Sequence, residues 1–300
     1  MKKEDLHGFV PAVVTPFDAK GEIIEDAYIN MVETLVGLGA TAICVAGDNG
    51  ESWALDPTER GYLVRLAKQT SNGRVPVIAG CSAPTLKTSL TYANVALENG
   101  ADALLSMPQT YVLKATRNEL LARFDSLYKA TNAPIVLYNS PRRAGLGLSV
   151  EDIIAITGVA SIIGIKESTR DYMHLTKLCD HLKDDLSIMV GPCQFIMPGI
   201  AMGARGFIAT GPELLGPVAG EIANLAKTPN SDTAIEVHSK LTALYELLMG
   251  TGTWPSSFKA ALNLIGHEAG IPREPVLPAT DEDLTKIRSV LHKLDIQTLS

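Results

Sequence analysis

Short runs of consecutive apolar residues alternate along this chain with longer segments in which apolar positions recur every three or four residues. The short runs fall at 10–14, 42–46, 75–79, 103–106, 135–138, 162–166, 187–190 and 206–209. They are apolar throughout rather than at every second position, which predicts strands covered on both faces, as in a parallel sheet. The longer segments at 25–38, 57–70, 85–99, 118–130 and 150–157 have helical periodicity, and several carry start and stop signals. Asp56 precedes Pro57 with Glu59 three positions after the cap, Ser149 precedes Glu151 and Asp152, and Gly39, Gly73 and Gly100 follow helix ends. The repeating unit is βα. Eight such units over about 220 residues predict an α/β fold of the closed (β/α)8 TIM barrel type.

A doubly wound dinucleotide fold would need Gly-x-Gly-x-x-Gly after its first strand; that motif is absent there, and Gly145-Leu146-Gly147-Leu148 does not complete it. After Ala209 the pattern is helical only, with segments at 216–226, 233–249, 255–268 and 282–294. Thr228-Pro229-Asn230-Ser231 reads as a hinge. It divides a barrel over residues 1–227 from a C-terminal helical region over residues 228–300, expected to pack on the barrel or on another subunit.

Composition narrows the function classes. An apolar content of 46% in 300 residues supplies a large core. The formal charge of -7, from 33 acidic and 26 basic residues, is scattered, so electrostatics offers nothing to hold nucleic acid. The start Met1-Lys2-Lys3-Glu4-Asp5 is followed by an apolar segment broken by Pro11 and Pro16, which fits neither a signal peptide nor a membrane span. A cytoplasmic protein without membrane contact is the expectation. Cys44, Cys81, Cys179 and Cys193 lie far apart with no Cys-x-x-Cys pair and read as buried hydrophobes. No histidine pair has ligand spacing; His174 and His181, seven apart on a helical stretch, read as a solvated or partly packed face, and no metal is expected.

In such a barrel the active site forms at the carboxyl ends of the strands and the loops after them. The sixth run, Ile162-Ile163-Gly164-Ile165-Lys166, ends on a lysine. Desolvation disfavours an ammonium, and a lysine emerging from an apolar strand is a candidate covalent nucleophile toward a carbonyl, with a Schiff base as product. The competing reading is a solvated or salt-bridged strand terminus. Tyr138 ends the fifth run as Lys166 ends the sixth, placing a phenol beside an amine, a pairing suited to moving protons around an imine. Gly47-Asp48-Asn49-Gly50-Glu51 after the second run, 108–111 after the fourth, Arg142 and Arg143 after the fifth, Gly191 after the seventh and Ile208 in the eighth fall on the same rim.

These residues carry a resemblance. Val14-Thr15-Pro16-Phe17, Gly47 and Gly50-Glu51, Pro76-Val77-Ile78-Ala79-Gly80, Gly100-Ala101-Asp102-Ala103, Tyr138-Asn139-Ser140-Pro141 with Arg143 and Gly145, and Gly164-Ile165-Lys166-Glu167-Ser168 together resemble the dihydrodipicolinate synthase and N-acetylneuraminate lyase superfamily of Schiff-base-forming pyruvate aldolases. The resemblance covers nearly all of the chain. It implies a (β/α)8 barrel with a C-terminal helical region, a homotetramer built as a dimer of dimers, no metal and no organic cofactor. It implies that Lys166 condenses with the ketone of a 2-keto acid, that Tyr138 is the acid or base, and that amides of the loop from Gly47 to Gly50 cradle the carboxylate. Arg143 matches an arginine that grips the carboxylate of a second substrate in synthases; its alternative is a rim salt bridge. Tyr111 corresponds to a tyrosine that completes a proton relay across a subunit interface.

Three departures shape the functional expectation. The family's loop usually carries hydroxyl residues where this chain has Asp48 and Asn49. Asp48 therefore either reads a cationic or hydroxyl group of a non-standard substrate, acts as acid or base, or is a turn aspartate facing away. Pro108-Gln109-Thr110-Tyr111 lacks one of two adjacent aromatics, and Gly191-Pro192-Cys193-Gln194 lacks acidic residues common in synthases. The leading expectation is a lyase of a small 2-keto acid, an aldolase or a dehydratase or deaminase, acting for example on a 2-keto-3-deoxy sugar acid or a hydroxyproline-derived imino acid. Dihydrodipicolinate synthase itself, condensing pyruvate with aspartate semialdehyde, is the alternative. A non-catalytic binding protein on an aldolase scaffold is a third. Trp254 before Pro255 reads as a hydrophobic staple at a helix start.

Overall fold

The computed structural model describes residues 1–299. Eight strands form one parallel sheet: β1 (Gly8–Phe9), β2 (Ile43–Val45), β3 (Val77–Gly80), β4 (Ala103–Ser106), β5 (Ile135–Asn139), β6 (Ile162–Glu167), β7 (Ser187–Val190) and β8 (Gly206–Phe207). Each pairs with its neighbour in sequence from β2 to β8, and β8 pairs with β1. A parallel bridge between Ala12 and Cys44 joins the first and second strand segments, with Val13 N–H donating to Cys44 O at 3.0 Å and Cys44 N–H to Pro11 O at 2.9 Å. That bridge closes the ring, and no sheet edge is left open.

The first strand lies earlier than residues 10–14. Pro11 has no N–H to give to a ladder, so beyond Phe9 the pairing shrinks to Val10 N–H on Phe207 O and the Ala12 bridge. The helices around the ring are α1 (Glu25–Gly37), α2 (Pro57–Ser71), α3 (Leu86–Glu98), α4 (Arg117–Thr131), a short α5 (Pro141–Ala144), α6 (Val150–Thr157), α7 (Tyr172–Leu182), α8 (Ile196–Ala201) and α9 (Val218–Leu225). Asp56 and Glu59 form a capping box at α2, as Ser149 and Asp152 do at α6. The sequence pattern assigns no element to residues 196–201. Pro198 sits in the first turn of α8, where an N–H has no helical partner in any case.

Strand side chains sort into two layers. Val10, Cys44, Ile78, Leu105, Val136 and Met189 fill the barrel interior, whereas Ile43, Val77, Leu104, Ile135 and Ile188 face the helices. All four cysteines are buried and unpaired. The chain then continues through α10 (Asp232–Met249), α11 (Ser256–Leu264) and α12 (Asp281–Lys293). α10 lies against the turn after β7, where the Cys193 thiol donates to Leu241 O at 3.2 Å. No helix among the described residues is long and apolar enough to cross a membrane.

The C-terminal helices are pinned to the rim by a buried ion pair. Glu51 and Lys259 are both shut away from water with Oε1 and Nζ 2.5 Å apart. Lys259 also donates to Ile271 O at 2.8 Å, and Arg273 N–H donates to the other Glu51 oxygen at 2.8 Å. The Phe17 ring lies between the two cations, 4.6 Å from Lys259 Nζ and 4.0 Å from the Arg273 guanidinium. Burial pushes the Lys259 ammonium down to about 8 against the opposing pull of Glu51. Removing one member strands the other in a dry site, so Lys259→Met is expected to cost about 3–5 kcal/mol in urea unfolding. Adding Glu51→Gln should return part of that loss; a double variant no more stable than Lys259→Met would contradict the pairing.

Candidate active site

β5 and β6 deliver the two central side chains. Tyr138 and Lys166 are register partners on adjacent strands, so both point to the same face, and that face is the barrel interior. Lys166 Nζ lies 4.5 Å from the centre of the Tyr138 ring, with only 6% of Lys166 and 5% of Tyr138 exposed. Among the described residues the ammonium has no counterion and the phenol no hydrogen-bond partner. The negative face of the ring is what the amine rests on. A nearly buried lysine with no carboxylate in contact is suited to chemistry, whereas the buried Lys259 sits directly on one.

The loop after β2 forms the opposite wall. It is held from below by the buried Arg60, which donates to Gly80 O and Ser52 O at 2.8 Å each and stacks on Tyr92. Thr15 Oγ donates to Gly50 O at 2.8 Å. A side chain at Gly50 would put its Cβ 3.0 Å from Val13 O, so a larger residue would crowd the first strand segment. Asn49 spans the gap to the first and last strand segments, donating to Ala12 O at 2.9 Å and accepting from Thr210 Oγ at 2.9 Å. The N–H groups of Asp48, Asn49 and Gly50 donate to no acceptor among the described residues, leaving three consecutive donors in a tight turn.

Asp48 faces the pocket, and its cationic partner is supplied by the protein. Its Oδ2 is 2.8 Å from Arg143 Nη2, which reaches in from α5. The aspartate is therefore not the outward-facing turn residue that was one reading of the sequence, and the guanidinium is already engaged. Asp48, Asn49, Tyr138, Arg143, Lys166, Gly191 and Ile208 all line one cavity of about 80 Å³. Gly47 and Gly50 shape the loop behind that lining. At Gly191 a Cβ would fall 1.8 Å from Ser168 Oγ, so the ends of β6 and β7 touch only because no side chain stands there.

Tyr111 is not brought to this cavity. It is 90% exposed on the loop after β4, at φ +74°, beside the exposed Val112 and Leu113. The C-terminal helices, in contrast, contribute a wall that the sequence did not reveal: Tyr245, Leu248 and Met249 from α10, and Trp254 from the turn before α11. Trp254 stacks on Phe258, as a staple would, with ring centres 5.7 Å apart, yet the same ring lines the cavity. Its tertiary placement leaves no mark in local sequence. Arg142 and Arg170 complete the mouth. Beside the cavity, Glu213 is buried and its carboxyl is pushed up to about 7 by desolvation, with Gly211 N–H at 2.7 Å and the charge of Lys166 pulling the other way. No cluster of three or more His, Cys, Asp or Glu positioned to hold a metal ion occurs among the described residues.

Behind Lys166 the strand end is braced. Glu167 accepts from Asn139 Nδ2 at 3.0 Å and from Thr169 N–H at 2.7 Å, and lies 3.3 Å from His174 Nε2 on α7. His174 is thus packed onto the rim rather than solvated, and the Glu167 carboxylate raises its pKa above the usual 6.5. A raised folded-state pKa contributes stability that is complete below the unfolded value and vanishes as pH rises through the folded one. The Tm gap between the native chain and His174→Gln should accordingly be largest below about pH 6.5 and close at higher pH; a gap that widened with pH would contradict the assignment.

With this geometry in place, the matches to known proteins are specific. The pattern of the dihydrodipicolinate synthetase family matches residues 5–294. The chain is 31% identical over 294 residues to 4-hydroxy-tetrahydrodipicolinate synthase of Methanopyrus kandleri, covering 97% of each chain. It is 28% identical over 292 residues to 4-hydroxy-tetrahydrodipicolinate synthase 2 of Halalkalibacterium halodurans, covering 97% of this chain and 99% of that one. The crystal structure of dihydrodipicolinate synthase from Aquifex aeolicus superposes with a TM-score of 0.91 at 28% identity, over 98% of this chain and all of that one. The barrel, its strand-end rim and a match spanning all but the two ends of the chain make this protein a member of the dihydrodipicolinate synthetase family, a family of Schiff-base lyases.

Proposed function

We propose that Lys166 forms the Schiff base with a small 2-keto acid, and that the reaction is an aldol cleavage, dehydration or deamination. The observation that carries this reading is the pairing of an unneutralised, nearly buried amine with a free phenol on adjacent strands of one cavity. The amine nitrogen attacks the ketone carbon; the resulting carbinolamine loses water to give an iminium, which withdraws electrons from the bond to be broken. Tyr138 passes protons to and from the departing oxygen, and the free N–H groups of Asp48, Asn49 and Gly50 receive the substrate carboxylate. Tyr111, too exposed to serve its own cavity, would complete the relay of a neighbouring copy in a homotetramer, with Val112 and Leu113 supplying apolar contact.

The Asp48 and Arg143 ion pair separates this reading from synthesis by condensation. An arginine that must grip a second substrate's carboxylate is here already paired with a carboxylate of the protein. The names of the relatives favour the alternative, 4-hydroxy-tetrahydrodipicolinate synthase. The two readings part on the substrate consumed: pyruvate together with aspartate semialdehyde for the synthase, a single larger 2-keto acid for the lyase.

Borohydride reduction with pyruvate, a 2-keto-3-deoxy sugar acid or a hydroxyproline-derived imino acid should add a substrate-derived mass to the intact chain. Lys166→Ala should abolish the adduct, and Tyr138→Phe should slow its formation about 100-fold. Tyr111→Phe should slow it only in the assembled protein; equal rates in assembled and dilute enzyme would remove Tyr111 from the site. An adduct that survives Lys166→Ala would refute the assignment of the nucleophile. Asp48→Thr, which releases Arg143, should change turnover of the preferred substrate by about tenfold, the scale of one charge-assisted contact. An unchanged rate and unchanged preference would show that Asp48 has no part in selection.

A further inference from the structure

The cavity has two chemically distinct ends. Its buried end holds Lys166, Tyr138 and Ile208; its open end holds the exposed Arg142 and Arg170 under the wall made by Tyr245 and Trp254. Among the described residues neither Arg142 nor Arg170 has an ion-pair partner, and the only carboxylate lining the cavity, Asp48, is taken by Arg143. The guanidinium of Arg170 lies 4.9 Å from the centre of the Tyr245 ring and reaches Met249 Sδ at 3.4 Å. It is supported, but its charge is not met.

Two neutral donors share that end. Tyr245 Oη and Trp254 Nε1 are shielded from solvent; the indole N–H has no hydrogen-bond partner, whereas the phenol lies against Gln194. Burial pushes the Tyr245 phenol up, against the pull of Gln194 and of the Arg142 charge. The indole is fixed by its stacking on Phe258. Guanidinium and indole groups have no lone pair to offer, so Arg142, Arg170 and Trp254 favour a group made of acceptors over a chain of hydroxyls that must donate as well. Arg170 also stands at φ +62°, backbone that glycine adopts freely and side-chain residues resist, so a side chain is held there against the local preference.

We infer that the open end is a carboxylate subsite, formed by Arg170, Arg142, Tyr245 and Trp254, which selects a 2-keto acid bearing a second carboxylate at its far end. The inference rests on the proposed Schiff base at Lys166 for the placement of the keto end. The subsite is separate from the Asp48 and Arg143 pair and lies largely on the C-terminal side of the cavity. Its free cations also attract a doubly charged substrate to the mouth.

The test compares molecules of equal length that differ at the far end: 2-oxoglutarate against 2-oxopentanoate, and 2-oxoadipate against 2-oxohexanoate. The half-saturating concentration for borohydride trapping is read by intact mass on the full chain. At least one diacid should be trapped at about tenfold lower concentration than its uncharged-tail partner, as one charge-assisted contact provides. Arg170→Gly, which relaxes the backbone while deleting the guanidinium, should bring that ratio to within about twofold, and Trp254→Phe should reduce it severalfold. Lys129→Met, which removes a remote surface cation, should leave the ratio in place. Calorimetric titration of the same four compounds into Lys166→Ala reads the subsite without the imine, so loss of trapping alone would count against the Schiff base only. Equal affinities within both pairs, or a preference that survives Arg170→Gly combined with Arg142→Leu, would overturn the subsite.

Discussion

A carboxylate and an ammonium sealed from water fix the geometry of this protein more than any other contact. Glu51 ends the loop after β2 that offers three free amides to the cavity, and Lys259 belongs to α11. Their charges have no solvent to turn to, so each holds the other in place. Arg273 and the ring of Phe17 close over the pair, which ties the first loop of the barrel to the chain's last third. The rim and the C-terminal wall are consequently set relative to each other by electrostatics in a dry place, where small displacements are costly. Asp48, three positions before Glu51, takes its place opposite Arg143 from this anchored loop.

Much of the fold was legible in the sequence because a barrel strand covered on both faces has to be apolar at every position. β4 and β7 begin and end where the apolar runs do, and helix starts at Asp56 and Ser149 follow from capping chemistry alone. The misreading of the first strand has a local cause. Pro11 shortened its ladder and moved it earlier in the chain. Closure by a single bridge at Ala12 is a long-range event that no window of sequence could contain.

The candidate site divides in the same way. Residues at strand ends were legible, since the barrel leaves them one place to go, and Tyr138 and Lys166 do share a face. What was not legible depends on contacts between distant segments: the capture of Asp48 by Arg143, the packing of His174 onto Glu167, and the turn of Trp254 into the cavity. Tyr111 shows the converse, for its motif position alone did not bring it to the cavity of its own chain. Sequence gave the groups on rigid strands and missed those whose position is negotiated between loops and helices.

The bare contact at Gly191 has a consequence for how such a site can diversify. With the ends of β6 and β7 closed to less than one methyl group, no side chain can be added at Gly191 without pushing Ser168 and the Glu167 carbonyl aside. Side-chain variety has more room at the arginines of the mouth and along the aromatic wall of the C-terminal helices. The floor of the cavity and its outer wall thus come from separate stretches of polypeptide, and a change in one need not disturb the other.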